Sequence, residues 1–203
     1  MFVNRAEVKR LKVIFKRHGF VMKTAELVQV GINKNEISRL CEINMIEKVK
    51  HGYYFWSHDF VGGDVVILKK LFPDAIFCME TAAFYYRYSD RTPNRWSLAL
   101  DRATSITRDE INYPFVEVYR TKTDLLRLGA TDFEIDGFDV KMYDRDRTVC
   151  DFLRRMNDVD PEIFNKVILG YVNDPRRNIP NLMRYAKELR VTEKVKRLIG
   201  VWL

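Results

Sequence analysis

Three cysteines in 203 residues, with no C-x-x-C pair among them, exclude a disulfide framework and a cysteine-based zinc site. Cys41, Cys78 and Cys150 stand far apart and in odd number, which predicts reduced, buried thiols. Histidine is equally sparse, and His18, His51 and His58 lack the spacing of a metal motif. The nine glycines build no loop that could cradle a phosphate, and there is no Ser/His/Asp or Cys/His arrangement for nucleophilic chemistry. The sequence therefore offers no catalytic residue, no metal site and no cofactor. Apolar runs such as Val65-Val66-Ile67-Leu68 fall far short of the ~20 residues that a membrane-spanning helix needs. Where a secretory leader would be apolar, the chain carries Arg5, Glu7, Lys9, Arg10 and Lys12, so the expectation is a cytoplasmic protein without membrane partners. No internal repeat or low-complexity tract is present.

What the chain does have is apolar mass and unevenly distributed charge. It is 47% hydrophobic and 13% aromatic, enough for a real core. The net charge of +7 divides unequally: residues 1–58 hold 11 Lys/Arg against 5 Asp/Glu, residues 59–140 hold 10 against 14, and residues 141–203 hold 14 against 9. A basic head, an acidic middle and a basic tail suit a nucleic-acid reader joined to a second module, although charge alone also describes solvated surfaces.

Apolar spacing predicts a first helix over about 4–17, through Val8, Leu11, Ile14 and Phe15, ended by His18-Gly19. Thr24 reads as the N-cap of a short helix over 25–30, closed by Gly31. Asn33 caps a third helix, with Glu36 in capping-box position and Ile37, Leu40 and Cys41 inward. Ile46–Val49 and Tyr53–Trp56 flank Lys50-His51-Gly52 as a β-hairpin. Helix, helix, turn, helix, hairpin is the order of a winged helix-turn-helix. Turn residues cluster at 57–63, which places a DNA-binding domain at 1–58 and a second domain at 64–203. The second is expected to be mixed, with helices at about 64–72 and 79–87 and strands near 96–100, 115–120, 133–135 and 138–143. Further helices follow at about 145–156, from Pro161, at 181–190 and at 192–202. The fold class is α+β.

A recognition helix must show the major groove short polar and forked cationic side chains, because each base pair displays its own donor and acceptor pattern there. The third helix offers Lys34, Asn35, Ser38, Arg39 and Glu42 opposite its apolar face, with Asn33 at its start. Asn35 and Arg39 are the direct-readout candidates, since Asn can pair with adenine and Arg with guanine. Thr24, at a helix start, suits phosphate contact, and Lys48, Lys50 and His51 on the hairpin suit phosphate or minor-groove contact. The implied partner is double-stranded DNA.

These segments resemble a known family. Thr24-Ala25-Glu26-Leu27, Gly31-Ile32, Ile37-Ser38-Arg39-Leu40 and Met45 through Tyr54 look like the N-terminal domain of AbiEi-type antitoxins. Thr81 through Asp90, then Pro93, Trp96 and Leu98-Ala99-Leu100, are similar to that family's small-residue helix and the segment after it. Asp146-Arg147-Thr148-Val149-Cys150-Asp151-Phe152-Leu153 resembles its Glu-Arg-Thr-Leu-x-Asp-Leu-Leu signature, with Asp146 in place of the usual Glu. The resemblance runs from about residue 20 to 155. It leaves out the basic first helix and the basic C-terminal helices. It implies a two-domain antitoxin of a phage-defence system that represses its own operon and counters a cognate nucleotidyltransferase-like toxin without needing a stable complex.

Other readings compete. Asp139-Val140-Lys141 with Asp132, Glu134 and Asp136 is similar to the carboxylate–lysine sets of metal-dependent nucleases, but Asp136-Gly137 reads as a hairpin turn and the acids as edge residues. Arg147 and Asp151 at i, i+4 read as a local helix pair worth a few tenths of a kcal/mol. Phe84, Tyr85, Tyr86 and Tyr88 could stack on nucleobases, but at helical spacing they read as core or domain interface. Lys187, Arg190, Lys194 and Arg197 would line one cationic face of a continuous helix, poised for polyanion or for the toxin pathway, with Thr192 marking a break. A regulator whose second domain senses a ligand, with no toxin, is the alternative function.

Overall fold

In the computed structural model, which describes residues 4–60, 63–104, 111 and 113–202, the chain is mixed α+β. It forms two compact units. One comprises Met1–Pro73 with Ile106–Phe115 and Ile135–Phe138; the other comprises Asp74–Ser105, Val116–Glu134 and Asp139–Leu203. The division falls at Pro73 rather than at 57–63, and residues 61 and 62 of that expected linker lie outside the described residues. Among the described residues, no helix is long and apolar enough to cross a membrane.

In the first unit the elements follow the expected order with one addition: α1 Arg5–Arg17, β1 Val21–Lys23, α2 Thr24–Gln29, α3 Lys34–Glu42, β2 Ile46–Lys50, β3 Tyr53–Trp56 and α4 Gly63–Leu71. The addition is β1, which pairs antiparallel with β3 (Val21 opposite Phe55) to give a three-stranded sheet ordered β1-β3-β2. Its three residues are too few to show alternation, and its partner lies 30 residues on. Leu11, Phe15, Leu27, Ile37, Leu40 and Trp56 close the core, each almost wholly buried. Helix α4 belongs to this unit because Ile67 packs with Val21 and Val49, which is why the boundary moves beyond the turn-rich stretch.

The second unit holds β4 Ile76–Phe77, α5 Met79–Tyr85, β5 Trp96–Asp101, β6 Val116–Thr121 and α6 Thr123–Leu126. β7 Ala130–Ile135, β8 Phe138–Tyr143, α7 Arg145–Arg154, α8 Pro161–Val172, α9 Ile179–Glu188 and α10 Thr192–Leu198 follow among the described residues, before a short 3-10 turn at Gly200–Trp202. The five-stranded sheet is ordered β6-β5-β4-β8-β7, with β5 parallel to β6, β4 parallel to β8 and β4 antiparallel to β5. Asp136 and Gly137 form the β7–β8 turn in left-handed conformations (φ 52° and 81°), as the Asp-Gly pair predicts.

Helix α7 is the most deeply buried helix of this unit in chemical terms, because it sinks charge. Asp144 caps it, accepting from the Arg147 N–H at 2.8 Å. Arg147 is 1% exposed, and its guanidinium donates to Asp151 at 3.0 Å and to the carbonyls of Leu125 and Leu128 at 2.8 and 2.7 Å. Asp146 accepts from the Tyr171 hydroxyl and the Asn178 N–H, at 2.7 and 2.8 Å. The Asp146-to-Asp151 segment thus bonds α6, α8 and the start of α9 to one helix. The Arg147–Asp151 pair is the local i, i+4 pair its spacing predicts, but with side chains 1% and 13% exposed it is buried and not a surface pair. Of the aromatic run, Tyr86 and Tyr88 are buried, donating to the Tyr143 carbonyl at 2.8 Å and to Asp174 at 2.9 Å, while Phe84 and Tyr85 are half-buried.

Candidate nucleic-acid interface

The outward face of α3 is short and polar. Asn33 caps the helix through its side-chain oxygen, which accepts from the Glu36 N–H at 3.0 Å. With Ile37 and Leu40 fixed in the core, the 100° step of the helix turns Lys34, Asn35, Ser38 and Glu42 to solvent. The Ser38 hydroxyl donates back to the Lys34 carbonyl at 3.2 Å, and Asn35 is exposed in the first turn. That is where a helix entering a groove presents its side chains.

Arg39 does not join that face. It sits one step round from Ser38, and its guanidinium meets the Glu7 carboxylate of α1 at 2.5 Å, with both side chains about one-third exposed. An Arg held by a carboxylate on the neighbouring helix positions α3 and is not free to fork onto guanine. Glu7 precedes it by 32 residues, so helical spacing alone could not show the pairing.

Thr24 does not cap α2 either. Lys23 occupies the N-cap position, and its N–H donates to the Glu26 carboxylate at 2.7 Å. Burial opposes ionisation of Glu26, but that N–H and the nearby Lys70 hold its pKa below the usual carboxylate value. The Thr24 N–H and hydroxyl both donate to the Gly52 carbonyl, at 2.9 and 3.3 Å, so this residue ties α2 to the hairpin turn.

The hairpin keeps the predicted cations and gathers another. Lys48 and His51 are exposed, and the pairing of β2 with β3 shifts register between Lys48 and Lys50. Tyr53 is opposite both Lys23 and Lys50, and their ammonium groups lie 5.6 and 4.4 Å from its ring centroid. Sequence spacing does not show Lys23 here, because the β1–β3 pairing that brings it in has no local signature.

The C-terminal cations divide. Helix α9 ends at Glu188, Arg190 adopts a left-handed conformation (φ 59°) and α10 starts at Thr192, so no continuous helix carries all four. Lys194 donates to the Leu153 carbonyl at 2.8 Å and caps the end of α7. Lys187 and Arg190 border a groove with Lys122 and Arg154, and Arg197 stands exposed on α10. Of the nuclease-like residues, Lys141 meets Asp132 in an exposed ion pair at 2.6 Å across β7–β8. Among the described residues, no group of three or more His, Cys, Asp or Glu is arranged to hold a metal ion.

No family model matches the chain, and no curated protein sequence does. Among solved structures, the crystal structure of the Rv2827c protein from Mycobacterium tuberculosis superposes with a TM-score of 0.70 at 14% identity, over 92% of this chain and 72% of that one. At that identity the likeness is one of fold, and it extends over nearly the whole chain.

Proposed function

We propose that the protein is a cytoplasmic DNA-binding repressor that acts through a winged helix-turn-helix in its first unit. On the AbiEi-like motifs, we further read it as the antitoxin of a pair whose toxin is nucleotidyltransferase-like. The observation that carries the DNA-binding reading is the exposed Lys34-Asn35-Ser38 face of α3, beside a hairpin that carries Lys48, Lys50 and His51, with Lys23 on the paired strand β1. A polar face of that kind reads base edges, and the hairpin cations neutralise phosphates to either side. Repression then follows from occupancy of the promoter.

The antitoxin half rests on the Thr81–Asp90 and Asp146–Leu153 motifs. In this reading the second unit counters the toxin without a stable complex.

The test is a titration of the full chain with DNA from upstream of its own gene, over a range of salt. Asn35→Ala should lose roughly 1–3 kcal/mol of specific affinity while binding to unrelated DNA holds. Equal affinity of Asn35→Ala and the unmodified protein for the operator would remove α3 as the reading element. For the antitoxin half, the full chain is co-expressed with the product of an adjacent nucleotidyltransferase-like gene. Asn35→Ala should then abolish repression and keep protection, whereas growth arrest despite folded protein rejects the antitoxin role.

A further inference from the structure

The second unit contains a recess of about 260 Å³ that the DNA-binding reading does not use. Its floor is the parallel β5–β6 ladder, where Ala99 and Tyr119 are register partners; the small Ala99 side chain leaves the space open. Four arginines line it, Arg102, Arg120, Arg154 and Arg155, against two carboxylates, Asp151 and Asp158.

The carboxylates do not use up that charge. Asp151 is committed to Arg147 at 3.0 Å, and Asp158 is 3.9 Å from Arg155. Arg120 is anchored by donating from one nitrogen to the carbonyls of Asp101 and Thr104, and among the described residues its other donors have no partner. Arg155 lies over the Tyr119 ring with its guanidinium carbon 4.7 Å from the centroid. Among the described residues, neither Arg102 nor Arg154 has a hydrogen bond or ion pair from its guanidinium, and both are exposed at the mouth. Guanidiniums gathered around a concavity repel one another unless an anion sits between them, and the planar fork fits the oxygens of a phosphate.

Charge and size narrow the ligand class. With Asp151 neutralised by Arg147, four arginines less Asp158 leave +3 around the recess, which suits the charge of about −1.5 to −2 on a phosphomonoester better than the single charge of a carboxylate. The volume lies just under the ~300–1,000 Å³ of sites for larger ligands, so a small phosphorylated molecule fits and a dinucleotide does not. We infer that this recess binds a small phosphomonoester. Arg102, Arg120 and Arg154 bind the phosphate, and the Arg155–Tyr119 stack closes one side. The site is independent of the α3 face and does not rely on DNA binding.

The test is calorimetric titration of the full chain with ribose 5-phosphate, inorganic phosphate, sulfate and acetate. The expected result is saturable one-to-one binding of ribose 5-phosphate, weaker binding of inorganic phosphate and none of acetate. Arg102→Gln and Arg154→Gln should each weaken binding by roughly tenfold, as loss of a charge-assisted donor does, with the unfolding midpoint unchanged. Both side chains are exposed and, among the described residues, make no hydrogen bond or ion pair, so neither substitution threatens the fold. Ala99→Val, which narrows the floor, should weaken ribose 5-phosphate more than inorganic phosphate. No saturable binding at millimolar concentration, equal binding of acetate, or unchanged affinity in both arginine variants would each overturn the assignment. So would stoichiometric displacement of ribose 5-phosphate by duplex DNA, because the cations would then belong to a nucleic-acid surface.

Discussion

Removing the Arg147 guanidinium should be among the most damaging single changes in the second unit, although in sequence it is half of an ordinary i, i+4 pair. Arg147→Met keeps the length of the stem and deletes four interactions: the bond to Asp151 at 3.0 Å, those to the Leu125 and Leu128 carbonyls at 2.8 and 2.7 Å, and the stack on Tyr143 at 4.1 Å. An exposed pair at this spacing contributes about 0.3–0.5 kcal/mol. Stripping one partner from a buried pair costs about 3–5 kcal/mol, since the other charge stays behind unpaired. Arg147 is 1% exposed and Asp151 13%, so the larger range applies. Its lower end is the better expectation: burial already pushes the Asp151 carboxyl above the usual carboxylate range despite the guanidinium beside it, so protonation relieves part of the cost. With a urea dependence of roughly 2 kcal/mol per M, a loss of about 3 kcal/mol moves the midpoint down by about 1.5 M, read by far-UV circular dichroism. Arg147→Met combined with Asp151→Leu removes the orphaned acid and should recover part of that loss. A midpoint shift of no more than about 0.3 M for Arg147→Met, the size expected of an exposed pair, would refute the reasoning.

Gly129→Ala should cost at least about 1–3 kcal/mol, because Gly129 has φ 75° and an added Cβ would lie 2.6 Å from Arg147 Cβ; equal unfolding midpoints would count against this close approach. Asp174 is buried, which opposes its ionisation, but hydrogen bonds from Arg176, Tyr88 and Arg145 outweigh that and hold its pKa well below the usual value. Its contribution is therefore present above the unfolded pKa of about 3.9 and is lost as pH falls towards the folded one, so Asp174→Asn should lower stability at neutral pH and flatten the acid limb of a stability–pH curve. Arg39→Ala should loosen the first unit by up to about 1 kcal/mol and leave the ratio of specific to non-specific DNA affinity unchanged, whereas a collapse of that ratio would put Arg39 back among the base contacts. Lys50→Ala should weaken binding to all duplexes and lower the log–log salt slope by about 0.9, the signature of one lost phosphate contact; an unchanged slope takes Lys50 off the DNA.

The sequence alone was enough for those features that reside in neighbouring residues. The Asn33 cap and the apolar Ile37 and Leu40 specify α3 and its outward Lys34-Asn35-Ser38 face, because a helix is defined by caps and a 3.6-residue period. Asp136-Gly137 specified its hairpin turn because a two-residue turn needs positive φ at both positions. Pro161 and Thr192 marked helix starts for equally local reasons.

What depended on distant partners was decided only in the tertiary structure. Strand β1 needs β3, and with it Lys23 reaches Tyr53. Arg39 turns from reader to strut because Glu7, on another helix, has the right position and sign. The four C-terminal cations separate because Arg190 reverses the chain and Lys194 finds the Leu153 carbonyl. The arginine-lined recess draws Arg102, Arg120 and Arg154 from three segments that share no period. Hydrogen bonding and Coulomb attraction act through space, and a linear pattern records them only where the partners lie within a turn of one another.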